Sequence, residues 1–204
     1  MNTTLRVALT ASPEQARSLG KLQTAFAEVC NALAPLVQQT RCWNRVTLHH
    51  LAYKQLRERY PQMGSQMVCN AIYSVSRTAR VVFQNTASPF HLTRLAGKPL
   101  PLLKFLNTSP VYFDRHTLSL KAGALSLYTL DGRIRFVLAL TDSEEKNFHD
   151  KKLREIVLSR RADGVFELVF LFSEAADEEG ALAPAQAKQA KGQIPEYVKV
   201  EVDS

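Results

Sequence analysis

Hydrophobic positions change their spacing about halfway along the 204-residue chain. Leu5-Arg6-Val7-Ala8-Leu9 alternates and predicts a short first strand. Ser12-Pro13-Glu14-Gln15 reads as a capping box: a Ser hydroxyl for the N3 amide, Pro at the first helical position, and Gln reaching back. Ala16, Leu19, Phe26, Val29, Cys30, Leu33 and Val37 follow at helical spacing. They predict a helix to about Val37, kinked or shortened by Pro35. Thr47 is the expected cap of a second helix, with Leu48, Leu51, Leu56 and Tyr60 on one face and Pro61 as its stop. Ser65 opens a third, whose apolar stripe is Met67, Ala71, Ile72, Val75, Ala79, Val82 and Phe83. Asn70, Ser74, Arg77, Arg80 and Gln84 are expected on its opposite side.

From Val111 onward the period shortens to two. Asp131-Gly132 and Asp163-Gly164 are turn signals, because both residue types tolerate the positive φ of a tight hairpin. The first predicts pairing of Ala124–Thr129 with Arg133–Leu138, the second of Leu153–Arg160 with Val165–Phe172. Val111–Phe113 and Thr117–Leu120 add two more strands. The pattern predicts an α+β fold: a small β-barrel or curled sheet of about six to seven strands, with a three-helix bundle inserted after the first. The barrel is expected over 1–10 and 100–173, and the helices over 11–99. Residues 174–204 read as a flexible acidic, Ala-rich tail, with Val198–Val202 a possible isolated strand.

Charge sharpens this picture because it is uneven. Residues 1–140 hold 17 Lys+Arg against 5 Asp+Glu, whereas residues 174–204 hold 3 against 7. A cationic surplus concentrated in the first two-thirds is an electrostatic footprint for a polyanion, nucleic acid before a membrane surface. No apolar run is long enough to span a bilayer and no secretory leader is read at the start, so a cytoplasmic location is expected. Cys30, Cys42 and Cys69 are isolated and fit buried thiols in a reducing compartment. His49, His50, His91, His116 and His149 lack the spacing of a metal site or a catalytic set. No cofactor, metal or catalytic residue is expected.

Four stretches carry a family resemblance: Leu5 to Leu36, Tyr53 to Val82, VYFDRHTLSLKAGALSLYTLDGRIRF from Val111, and RRADGVFELVFLF from Arg160. In these the chain resembles the N-terminal region of the TnpB family, transposon-encoded RNA-guided endonucleases thought ancestral to type V CRISPR effectors. The resemblance implies a wedge-like β-barrel with a helical recognition domain inserted after its first strand. It also implies binding of a guide-RNA scaffold and of target DNA, with Gln66 where the family uses a polar helix residue near the DNA. The family's RuvC-like nuclease would follow, opening on a strand that ends Val-Asp-x-Gly. Here the chain reads Val202-Asp203-Ser204, and a single Asp cannot supply the converging carboxylates that metal-assisted phosphodiester cleavage needs. A non-catalytic module is therefore expected.

Candidate contacts with nucleic acid are cations. Arg41 and Arg45 flank Trp43 in a loop, and with Tyr53 nearby they offer phosphate contacts and a ring for an unpaired base. Lys54 and Arg57, with Arg77 and Arg80, are placed to line one positive helical face. Arg133 and Arg135 share one strand face opposite Ile134 and Phe136, and two such neighbours repel unless an anion lies between them. Lys151, Lys152, Arg154, Arg160 and Arg161 bracket the last hairpin. The expected partners are structured, guide-like RNA, duplex DNA or both. Alternatives left open are an accessory subunit that completes a separate nuclease chain or ribonucleoprotein, and a truncated transposon remnant.

Overall fold

The computed structural model describes residues 2–174 and 194–203. The elements in chain order are β1 (Thr3–Ala8), α1 (Pro13–Thr40), α2 (Arg45–Arg59), α3 (Ser65–Phe83), α4 (Leu92–Leu95), β2 (Leu102–Phe105) and β3 (Val111–Phe113). There follow β4 (Leu118–Lys121), β5 (Ala124–Thr129), β6 (Gly132–Val137), α5 (Asp142–Asp150), β7 (Lys152–Arg160), β8 (Phe166–Ser173) and β9 (Val198–Glu201). The fold is α+β with antiparallel sheets. The described strands do not close into the expected barrel. They form three sheets, ordered β1-β8-β7-β3, β4-β5-β6 and β2-β9. The break falls between β3 and β4, where Asp114 Oδ1 accepts from the backbone N–H groups of His116 and Thr117 at 3.1 Å each. That Asx turn sends the chain into a different sheet instead of back along β3.

The chain divides into two compact units, Met1–Leu22 with Pro110–Ala187 and Gln23–Ser109 with Lys188–Ser204. In the first unit, β8 lies between β1 and β7, and Leu168 to Ser173 are buried on both faces. Helix α5 covers part of one face: Phe148 packs edge-on against Phe170 and Phe172, with centroids 5.1 and 4.9 Å apart. The sequence reading had no helix there, although Thr141 and Glu144 form a full capping box.

The Asp-Gly hairpins are present with altered details. The first is one residue out of the expected register: Thr129 pairs with Gly132 and Ala124 with Val137, so the turn is centred on Leu130-Asp131. Turn chemistry does not fully account for Asp131, whose carboxylate also accepts from Ser18 Oγ at 3.3 Å and lies 3.5 Å from Lys21 Nζ. The second hairpin has a three-residue tip, Ala162 to Gly164, closed by Arg161 N–H to the Val165 carbonyl at 2.8 Å, with Gly164 at φ 85°. A tight turn unforeseen in the sequence joins β4 to β5, with Ala122 and Gly123 at φ 49° and 76°. A Cβ on Gly123 would meet the Leu138 carbonyl oxygen at 2.8 Å, so the position requires glycine.

In the second unit, α2 packs on α3 around Leu48, Leu56, Met67, Ile72, Val75 and Phe83. Pro35 does not end α1, which continues to Thr40 with Leu33, Ala34 and Val37 buried. Asn44, not Thr47, caps α2, accepting from Val46 N–H at 3.0 Å and Thr47 N–H at 3.2 Å. Leu51 leaves the expected buried stripe at 48% exposure, and Ala52 takes its place. Ser65 is not the cap of α3; Gly64 precedes it without a side-chain cap. Asn70 and Ser74, expected outside, are buried, because α3 is enclosed on nearly all sides.

One polar stripe of α1 organises this unit. Gln23 donates to the Ser109 carbonyl at 3.1 Å, and Gln38 to that of Leu100 at 3.1 Å. Between them Asn31 both donates to the Phe105 carbonyl (2.9 Å) and accepts from Phe105 N–H (2.7 Å), standing in for a neighbouring strand. The other edge of β2 is taken by β9, with Leu102 opposite Glu201 and Phe105 opposite Val198. Residues 194–203 are thus not the isolated end of a flexible tail. Tyr197 fixes them, its hydroxyl 3.0 Å from that of Thr78. Most of the expected tail, residues 175–193, lies outside the described residues.

Candidate nucleic-acid interface

Three of the six sequence-predicted cations of the second unit, Arg41, Arg45 and Arg57, serve its own backbone or rings. Arg41, at φ 52°, extends the α1 stripe by donating to the Lys98 carbonyl at 3.0 Å. Arg57 donates to the Met63 carbonyl and so closes the α2–α3 turn. Arg45 lies over the Tyr73 ring, 5.7 Å from its centroid. Gln66 and Arg77 are half-buried on α3, while Lys54 and Arg80 are exposed. Trp43 is core, 5.5 Å from Phe83, and Tyr53 stacks on His49 at 4.5 Å. The ring expected to take a base is therefore not presented by Trp43.

The cations of the last hairpin are likewise engaged. Lys151 donates to Thr3 Oγ1 at 2.6 Å, tying the start of β7 to β1. Arg154 is the extra residue of a β-bulge and donates to Ser173 Oγ at 2.5 Å. Arg160 covers the Phe166 ring at 5.1 Å. Arg161 pairs with Asp163 at 2.5 Å. The Val165 N–H holds the Asp163 carboxyl below its usual range; desolvation opposes this, and the hydrogen bond and charge of Arg161 add to the lowering. Lys152 is exposed.

Arg133 and Arg135 behave differently, because they stand on a sheet with an open face. In β5 and β6, Leu125, Leu127 and Phe136 point inward and are buried. The alternate residues make an outer face by register. Lys121 is opposite Ala124 and Ala124 opposite Val137; Ser119 is opposite Ser126 and Ser126 opposite Arg135; Tyr128 is opposite Arg133. Ser119, Lys121, Ala124, Arg133, Arg135 and Val137 are exposed, and Ser126 and Tyr128 half-buried. Successive rows are about 6.8 Å apart and neighbouring strands about 4.8 Å, which puts the Lys121 and Arg135 backbones about 12 Å apart.

Arg133 is held flat on this face. It donates from Nε to Ser126 Oγ (2.9 Å), from Nη2 to the Ser126 carbonyl (3.1 Å) and from Nη1 to the His116 carbonyl (3.3 Å). Three of its five donors are used, so the rest are fixed in direction. The contact to His116 also brings the turn carrying exposed Arg115 beside the face. No residue of the outer face is acidic, and the nearby Asp131 carboxylate is occupied by Ser18 and Lys21. The arrangement can hold anions spaced along an extended chain, with serine hydroxyls between the cations.

No protein-family model matches the chain, and no curated protein matches it.

Lys121, Arg115 and Ser119 were not singled out from the sequence. The signal was the spacing of Lys121 from a two-residue turn, which fixes its row; Ala122-Gly123 is a weaker turn marker than Asp-Gly. Among the described residues no group of three or more His, Cys, Asp or Glu is placed to hold a metal ion. No described helix is long and apolar enough to cross a membrane.

Proposed function

We propose that the protein is a cytoplasmic, non-catalytic nucleic-acid-binding module of TnpB-like kind, gripping the phosphate backbone of structured RNA or duplex DNA. The observation that carries the reading is the outer face of β4-β5-β6, where Lys121, Arg133 and Arg135 stand in register with serines and no carboxylate. Guanidinium, ammonium and hydroxyl groups hold phosphate; they do not by themselves cleave it. Binding through such contacts is sequence-tolerant, and any choice of sequence falls to base pairing by an RNA partner. The resemblance of the Val111 to Phe136 stretch to TnpB proteins supports the same reading.

The test is fluorescence anisotropy with labelled stem-loop RNA and labelled duplex DNA over a salt series. Four phosphate contacts, from Arg115, Lys121, Arg133 and Arg135, give a log–log salt slope of about −3.6 on duplex DNA. Salt-insensitive binding, or no binding of either nucleic acid at low salt, sinks the proposal.

A further inference from the structure

At the end of β6 the charged sheet face runs into a hollow of about 380 Å³ inside the first unit. Val7, Ala8 and Thr10 wall it on the β1 side, Gln15 at the start of α1, and Arg135 and Val137 on the β6 side. Among the described residues of the lining, Arg135 alone is charged. Val137 lies two residues from it on the same strand face and is 90% exposed. Gln15 is already committed, its amide N–H donating to the Arg135 carbonyl at 3.2 Å and its oxygen accepting from Ser12 N–H at 3.0 Å. That clasp fixes the β6 wall against the start of α1, and Thr10 is a further polar residue of the lining.

A cation and Val137 on one wall, the Ala8 methyl on the β1 side and Thr10 at the rim suit a particular ligand. It must join an anion to a flat ring with polar edges, and the hollow is within the usual size of small-molecule sites, from about 300 Å³ upward. A nucleotide has that chemistry. We propose that the hollow takes one unpaired nucleotide of a bound RNA strand. Its phosphate lies on Arg135, its base packs against Ala8 and Val137, and Thr10 faces the base edge. The inference rests on the reading of the β4-β5-β6 face as a phosphate-binding surface, and it adds a preference for RNA whose strand runs past the end of a stem.

Three labelled RNAs test it by anisotropy: a blunt stem-loop, the same stem with a short single-stranded overhang, and that overhang made abasic. The overhang with bases should bind about tenfold tighter than the abasic one. Ala8→Trp, at an exposed position of β1, should fill the hollow and erase that difference. It should leave blunt-stem affinity, salt slope and melting temperature unchanged. Equal affinity for the based and abasic overhangs, with the blunt stem still bound, overturns this inference alone. Failure of all three RNAs to bind overturns it together with the function proposed above. If oligoglutamate displaces the overhang as well as a free nucleoside monophosphate does, the occupant is an acidic peptide and the nucleotide assignment is wrong.

Discussion

The β5–β6 and β7–β8 hairpins each turn next to an Asp-Gly pair and each carry two arginines close to the turn, but those arginines meet different fates. In β7–β8 the sheet is covered on both faces from Leu168 to Ser173, and the arginines fold back on the hairpin: Arg160 onto Phe166, Arg161 onto Asp163. In β5–β6 only the inner face is buried, and Arg133 and Arg135 stand on an outer face without acidic neighbours. A cation in the sequence becomes a binding group only where the tertiary structure leaves it an open face and no internal acceptor that saturates it. Nearly the same local signal gives a structural hairpin in one place and a candidate interface in the other.

The largest effect should come from the covered hairpin. Phe170→Ala removes a ring packed under Phe148 and should cost about 3–5 kcal/mol in urea unfolding. A loss below about 1 kcal/mol would mean that this face is not closed. Next comes the open hairpin. Lys121→Glu with Arg135→Glu should weaken RNA binding roughly a hundredfold at low salt and leave the melting temperature unchanged. Arg160→Glu with Arg161→Glu should change affinity less than about threefold, since those side chains face their own hairpin. Equal effects of the two pairs would erase the distinction between the two hairpins.

A smaller change tests how α5 closes the covered face. Thr141→Ala removes a capping-box partner and should lower stability by about 1 kcal/mol, read by thermal or urea unfolding. The smallest effect concerns Asp163 at the tip of β7–β8. Its carboxyl is held below the usual 3.8, so its contribution is present above that pH and is lost as pH falls through the depressed value. Asp163→Asn should lower stability slightly at neutral pH and make no difference below the depressed value, so the acid limb of unfolding becomes flatter. The same stability as the parent at pH 7 and an unchanged acid limb would show that the carboxylate does not help to close its turn.

Periodicity placed the three long helices, the first strand and both Asp-Gly hairpins, since each depends on neighbours within a few residues. It missed α5, although Thr141 and Glu144 announce it, because the helix buries no residue of its own and so lacks an apolar stripe. It missed the pairing of β2 with β9 because those strands are short and lie about a hundred residues apart. The cations were legible as a surplus but not as a site. Arg41 and Arg57 look as available in the sequence as Arg135, yet carbonyls of Lys98 and Met63 take them.

The α+β class, the start of α1 with its cap at Ser12, the two Asp-Gly turns and a basic first two-thirds are legible in local sequence signals. These are matters of local hydrogen bonding, backbone preference and net charge. Long-range pairing divides the described strands among three sheets instead of closing them and brings Lys121 onto one face with Arg133 and Arg135. The reason is register: a one-residue shift turns every side chain of a strand to the other face, and register is set by pairing and turns, not by composition.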